Sequence, residues 1–148
     1  MDSKELNIGR AGQYLVLADL LLKGVQCFDT GEGAKYDAIA DYKGQIIRIQ
    51  VKTTKGTRVL HEGANPIHFY HIKRTGKNGN KFYDRDDFDC FALVALDIMK
   101  VFYLPFDDKV KQNSICIRDR NIEYTGQAKG GKKNGLYYQD LTWENYIK

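Results

Sequence analysis

Long apolar runs are missing from this chain. No stretch approaches the roughly 18 apolar residues that a membrane span needs, so the sequence predicts a protein that does not cross a bilayer. No basic segment leads an apolar one at the start, so no secretory signal is expected. Cysteine is scarce. Its 3 copies, Cys27, Cys90 and Cys116, lie far apart and form no CxxC pair. That spacing argues against a disulfide framework or a zinc site, and for a reducing, cytoplasmic setting. Internal repeats and long low-complexity tracts are absent as well. What is present is ordinary: 148 residues, 43% hydrophobic and 28% charged, which suits one globular domain and excludes wholesale disorder.

The net charge of +4 conceals an alternation. Residues 1–54 are balanced, residues 55–81 carry +5, residues 82–108 carry −5 and residues 109–133 carry +5. Two separate basic segments suit a polyanion better than an acidic small molecule. Two solvated basic loops would give the same counts, so charge alone leaves both readings standing.

Ser3 to Lys23 reads as a helix, with Ser3 as an N-cap and Gly24 at the C′ position. Its second half, from Tyr14 to Leu22, is apolar nearly all round, which predicts burial on more than one side. Val25–Phe28 reads as a short strand. The stretch from Tyr36 to Thr53 is the most legible. Lys43-Gly44 predicts a two-residue turn between two strands, pairing Tyr42 with Gln45 and setting Asp37 opposite Gln50. Directly opposed residues share a face, with Cβ atoms about 4.5–5.5 Å apart. Ile47, Ile49 and Val51 then point one way, and Arg48, Gln50 and Lys52 the other. One surface therefore gathers an acid, an amide and an ammonium. A one-residue slip would scatter them.

Further on, Ile67–Lys73 and Lys81–Tyr83 read as a second hairpin around a Gly- and Asn-rich turn. Phe91–Leu96 and Val101–Pro105 read as two strands, with their aromatics in the core. Ile115–Arg118 reads as another strand, and Leu141–Tyr146 as a terminal helical turn. The fold class expected is α/β: a helix and a mixed sheet in a single domain, 1–148, with a basic ribbon or loop insertion at 55–88.

Cleaving a phosphodiester takes a divalent cation to polarise the phosphate and generate hydroxide. Hard cations take oxygen ligands, and a nearby lysine offsets developing negative charge. Asp37, Gln50 and Lys52 supply such a set. A half-exposed strand alternating polar residues would also contain it by chance.

The arrangement Gly9-Arg-Ala-Gly-Gln13, Tyr36-Asp37 and Gln50-Val51-Lys52-Thr53 resembles the PD-(D/E)xK nuclease superfamily over about the first 55 residues. Order and spacing are similar to Holliday-junction resolvases and related restriction enzymes. In detail the chain is most similar to the intron-homing branch, whose member encoded in a cyanobacterial group I intron also has glutamine at the second acidic position. The resemblance implies a restriction-endonuclease-like core with a DNA-reading β-ribbon. It implies a Mg²⁺-dependent, site-specific double-stranded DNA endonuclease. Asp37 would be the central metal ligand, joined by Gln50, the Val51 carbonyl and Gln13, and Lys52 would be the motif lysine. Gln13 stands where the family usually has glutamate. With Gln13 and Gln50 both neutral, one carboxylate remains, a weak anchor for Mg²⁺. The chain is therefore read as a cleavage-deficient form, of the kind a shape-preserving Glu→Gln exchange gives when uncut DNA is to be trapped.

A two-stranded ribbon fits the major groove. Lys73, Arg74, Lys77, Asn78 and Lys81, with His68, Tyr70 and His71, are the candidate reading residues. Lys129, Lys132 and Lys133 would hold phosphate, and Arg48 the scissile backbone. His68 and His71 would point to opposite faces of a strand, so they are not read as a metal pair. No LAGLIDADG-like helix, HNH cluster or GIY-YIG pair is present. A double-strand break needs two active sites, so a homo-oligomer is expected, and the resemblance favours a tetramer over a dimer. The alternatives are a junction resolvase or restriction-type nuclease, and a non-catalytic DNA-binding module on a degenerate nuclease fold.

Overall fold

The computed structural model describes residues 3–31, 33–72, 74–76, 79–81, 83–107, 110, 114–124 and 135–148, with backbone alone for 74–76 and 79–81. Helix α1 spans Ser3–Leu22 and ends where Gly24, at φ +80°, turns the chain out of the helix. Strand β1 is Gln26–Asp29, β2 is Ala38–Tyr42 and β3 is Gln45–Thr54. Lys43 and Gly44 both adopt positive φ, 50° and 83°, as a two-residue turn between twisted strands requires. Tyr42 pairs with Gln45 and Ala38 with Ile49, so the sequence-derived register holds.

Strand β8, Cys90–Ala95, runs parallel to β3, and β9, Lys100–Pro105, runs antiparallel to β8. The mixed five-stranded sheet has the order β1-β2-β3-β8-β9. Every residue of β8 is buried, because both faces of that strand are covered. On one side α1 packs Val16 and Leu20 against Ile47, Ile49, Val51, Ala92 and Val94. On the other, Phe91, Leu93, Phe102 and Leu104 meet a second sheet. That sheet has the order β11-β10-β5-β4, built from Leu136–Tyr137, Ser114–Arg118, Ile67–His71 and Thr57–Arg58. A 3₁₀ turn, Tyr138–Asp140, and a short helix α2, Trp143–Tyr146, follow β11. No helix among the described residues is long and apolar enough to cross a membrane.

Two expectations are corrected. Burial of α1 is one-sided. Tyr14, Leu21 and Leu22 remain 56%, 54% and 89% exposed, because a helix lying on one face of a sheet has a single packed stripe. The second hairpin is also different. Ile67–His71 joins β10 and β4 in the second sheet, while the ribbon is the smaller pair β6, Arg74–Gly76, and β7, Gly79–Lys81.

Helix α1 comes close to the sheet at Gly12. A Cβ there would lie 1.8 Å from the Thr53 hydroxyl oxygen and 2.9 Å from the Thr53 Cβ. Gly12→Ala is therefore expected to destabilise the fold by about 1–3 kcal/mol through overpacking, despite the better helix propensity of alanine. Urea unfolding checks this. Thr53→Ala in the same chain should recover part of the loss, since the hydroxyl clash goes and the Cβ clash stays.

Candidate active site

Asp37 sits just before β2, where two hydrogen bonds fix the incoming loop. Thr30 Oγ1 donates to the Tyr36 carbonyl at 2.6 Å, and the Asp37 N–H donates to the Ile49 carbonyl at 2.8 Å. The second bond continues the β2–β3 ladder by one residue and sets Asp37 beside Gln50. The Asp37 Oδ2 accepts from Gln50 Nε2 at 2.8 Å and from the Val51 N–H at 2.9 Å. Lys52, two residues on and on the same face as Gln50, donates from Nζ to the Tyr83 hydroxyl at 2.7 Å. Its ammonium lies 5.0 Å from the Tyr83 ring centroid.

Burial acts on both charges. It pushes the Asp37 carboxyl up, against the Val51 hydrogen bond and the Lys52 charge, with the Asp29 carboxylate adding to the rise. It pushes the Lys52 ammonium down, against the attraction of Asp37. Acid and base thus share a partly desolvated niche in which each favours the charge of the other.

Gln13 lies on α1 in the stripe of Val16 and Leu20, one residue beyond the Gly12–Thr53 contact, and is half-buried. It makes no hydrogen bond to Asp37, Gln50 or Lys52. The structure thus joins Asp37 to Gln50 by a hydrogen bond, sets Lys52 on the same face of β3, and leaves Gln13 on α1 beside the Gly12–Thr53 contact.

The surface candidates fare differently. His68 is 3% exposed, with Nε2 at 2.9 Å from Asp97 Oδ1 and Nδ1 against the Tyr138 hydroxyl. Tyr70 is 2% exposed and belongs to the core beneath the second sheet. Both are corrected from DNA-reading to interior residues, because β5 is enclosed on the face they share. Arg48 does lie on the face of Gln50 and Lys52. Its guanidinium is held by Asp89, Nε to Oδ2 at 3.2 Å and Nη2 to Oδ1 at 3.1 Å, and by the Asp86 carbonyl at 2.7 Å. With those donors engaged it ties β3 to the segment entering β8 rather than reaching for a phosphate. Lys73, Lys77, Asn78, Lys129, Lys132 and Lys133 lie outside the described residues, as do the side chains of Arg74 and Lys81. His71 is exposed at the end of β5.

Sequence reasoning missed Tyr83, the acceptor for Lys52, and Asp89, the partner of Arg48. Each lies more than thirty positions from the residue it serves, 31 for Tyr83 and 41 for Asp89. The run Asp84, Asp86, Asp87 and Asp89 was the available signal, since an acidic run beside basic segments has cations to meet.

A family model described as PD-(D/E)XK endonuclease matches residues 1–130. The chain belongs to that family. That makes it a nuclease with DNA as the implied substrate, in a family that generally uses divalent metal ions. Among solved structures, that of a bacterial homing endonuclease, I-Ssp6803I, is similar with a TM-score of 0.62 at 19% identity, over 86% of this chain and 84% of that one. At that identity the likeness supports a shared fold. A search of curated proteins gives no match.

The residues present suit a hard cation in kind. Asp37, the Gln50 side-chain carbonyl and the Val51 main-chain carbonyl are all oxygen donors. They suit it less well in charge. Among the described residues there is no cluster of three or more His, Cys, Asp or Glu side chains that could hold a metal.

Proposed function

We propose that this endonuclease is a Mg²⁺-dependent, site-specific double-stranded DNA endonuclease of the intron-homing type, acting in the cytoplasm as a homo-oligomer. The observation that carries the reading is the Asp37 carboxylate, held by the Gln50 amide and the Val51 N–H, beside a lysine whose ammonium is partly desolvated. In this reading Asp37, the Gln50 and Val51 carbonyl oxygens and, from the helix, Gln13 hold the cation. When bound, the cation polarises the scissile phosphate and lowers the pKa of a water molecule. Lys52 sets its charge where negative charge develops, with Tyr83 fixing its direction.

The basic ribbon around β6 and β7, within the insertion at 55–88, reads the duplex. Arg74 and Lys81 belong to it, and Lys73, Lys77 and Asn78 adjoin them in sequence. Lys129, Lys132 and Lys133 add phosphate contacts. Apolar surface on α1, from Leu6, Tyr14, Leu21 and Leu22, favours assembly with further copies, a tetramer before a dimer.

Gln13 makes the chain as it stands a poor cleaver. Gln13→Glu restores a second carboxylate and is expected to raise Mg²⁺-dependent nicking of supercoiled plasmid by at least about tenfold, the effect typical of residues that tune a metal site. No gain would remove Gln13 from the site. No cleavage by either form, with duplex binding intact, would favour the non-catalytic DNA-binding module. Preference for a four-way junction over a linear duplex would favour a resolvase.

A further inference from the structure

Two concavities flank the second sheet, and their charges are opposite. The larger, about 760 Å³, is lined by Asp19, Asp97, Asp119 and Glu144 against Lys23 and Lys100. Its acids would repel a phosphate backbone. The smaller, about 260 Å³, lies between β3 and β5 and is lined by Lys52, Thr53, Thr54, Arg58, Phe69, Tyr70 and His71. Among the described residues no carboxylate lines it. It contains the lysine of the candidate active site and, at β4, an arginine that no sequence pattern singled out.

Among the described residues, Arg58 is held by an aromatic ring rather than by an acid. Its guanidinium carbon lies 4.0 Å from the centroid of the Phe69 ring, and the exposed imidazole of His71 packs edge-on against the same ring at 4.8 Å. Antiparallel pairing with Ile67 of β5 fixes the backbone of Arg58. Stacking on an aromatic leaves the edge of a guanidinium, with its N–H donors, available for an anion. The cavity therefore presents a pre-oriented cation next to Lys52, with Thr53 and Thr54 beside them.

We propose that this cavity is a subsite for a DNA backbone phosphate next to the scissile one, with Arg58 as its anchor. The inference rests on the nuclease reading of Asp37, Gln50 and Lys52. It adds a positioning residue outside the motif, one that fixes the strand along β3 and β4. Seating a neighbouring phosphate holds the reacting phosphate in register without joining in the chemistry.

The test is binding of a 30-base-pair random-sequence duplex in EDTA, followed by fluorescence anisotropy over a KCl series. Each neutralised phosphate contributes about 0.9 to the slope of log affinity against log salt. Arg58→Gln is expected to flatten that slope by about 0.9, so that raising salt fourfold weakens the variant about 3.5-fold less than the parent. Arg58→Lys keeps the charge and should keep the slope, which separates phosphate contact from loss of the Phe69 stack. An unchanged slope in Arg58→Gln, or an equal flattening in Arg58→Lys, would overturn the proposal. The nuclease reading is tested apart from this, by the dependence of plasmid nicking on Asp37, so either can fail while the other stands.

Discussion

Asp37→Asn is expected to lower metal-dependent cleavage by at least about a hundredfold, the scale on which single transition-state contacts act, while the fold stays as stable or becomes more so. The parent can be the chain itself or its Gln13→Glu form. Asparagine keeps an oxygen to accept the Val51 N–H, and Gln50 can rotate its amide to keep its own bond, so the local geometry survives. What disappears is the one carboxylate of the hydrogen-bonded cluster. The pH dependence gives an independent check. Burial raises the Asp37 pKa in the folded state. Its contribution to stability is therefore fully present below the ordinary carboxylate value of 3.8 and is lost as pH rises through the raised value. Asparagine does not titrate, so the melting temperature of the variant should pull ahead of the parent as pH climbs through that window. Thermal melts in EDTA from pH 3 to 7 measure this. A gap that narrows instead, or cleavage that survives, would remove Asp37 from the centre of the site.

The hairpin that carries this site was legible because everything specifying it is local. A positive-φ pair at Lys43-Gly44 sets the register, and the alternation of Ile47, Ile49 and Val51 with Arg48, Gln50 and Lys52 fixes which face is which. The second sheet was not legible in the same way. Strand β5 contains two histidines and a tyrosine, which look like surface chemistry. The burial of His68 depends on partners distant in sequence: Asp97, 29 residues away, and Tyr138, 70 residues away. Arg48 illustrates the same limit. Its position on the site face was readable from the period of two, but its engagement was set by Asp89, 41 residues on. Face and register follow from local pattern. Whether a polar group on that face is free follows from what the rest of the chain brings against it. The one-sided burial of α1 belongs here too, since an all-round apolar helix does not say whether its outer side meets this chain or another.

Lys52→Met is expected to slow cleavage by about 10²–10³-fold, the range for removing one preorganised charge-stabilising donor, with duplex affinity in EDTA much less affected. Methionine keeps the apolar stem that packs below the niche and removes the ammonium that Tyr83 orients. Its effect on stability should run opposite to that of Asp37→Asn along the pH scale. Burial lowers the Lys52 pKa from 10.5, so the unfolded chain holds that proton to higher pH than the folded one. Stability of the parent therefore rises with pH from the lowered value up to 10.5, and the full cost of the buried ammonium is carried below the lowered value. Lys52→Met removes that cost, so its advantage in melting temperature should be largest below the lowered value and shrink as pH climbs from there toward 10.5. The acid and the lysine are coupled, each lowering the cost of burying the other, so the double variant should gain more stability than the two singles summed. If Lys52→Met cleaves at the parent rate, the ammonium has no part in the reaction, and the niche around Asp37 must find its positive charge elsewhere.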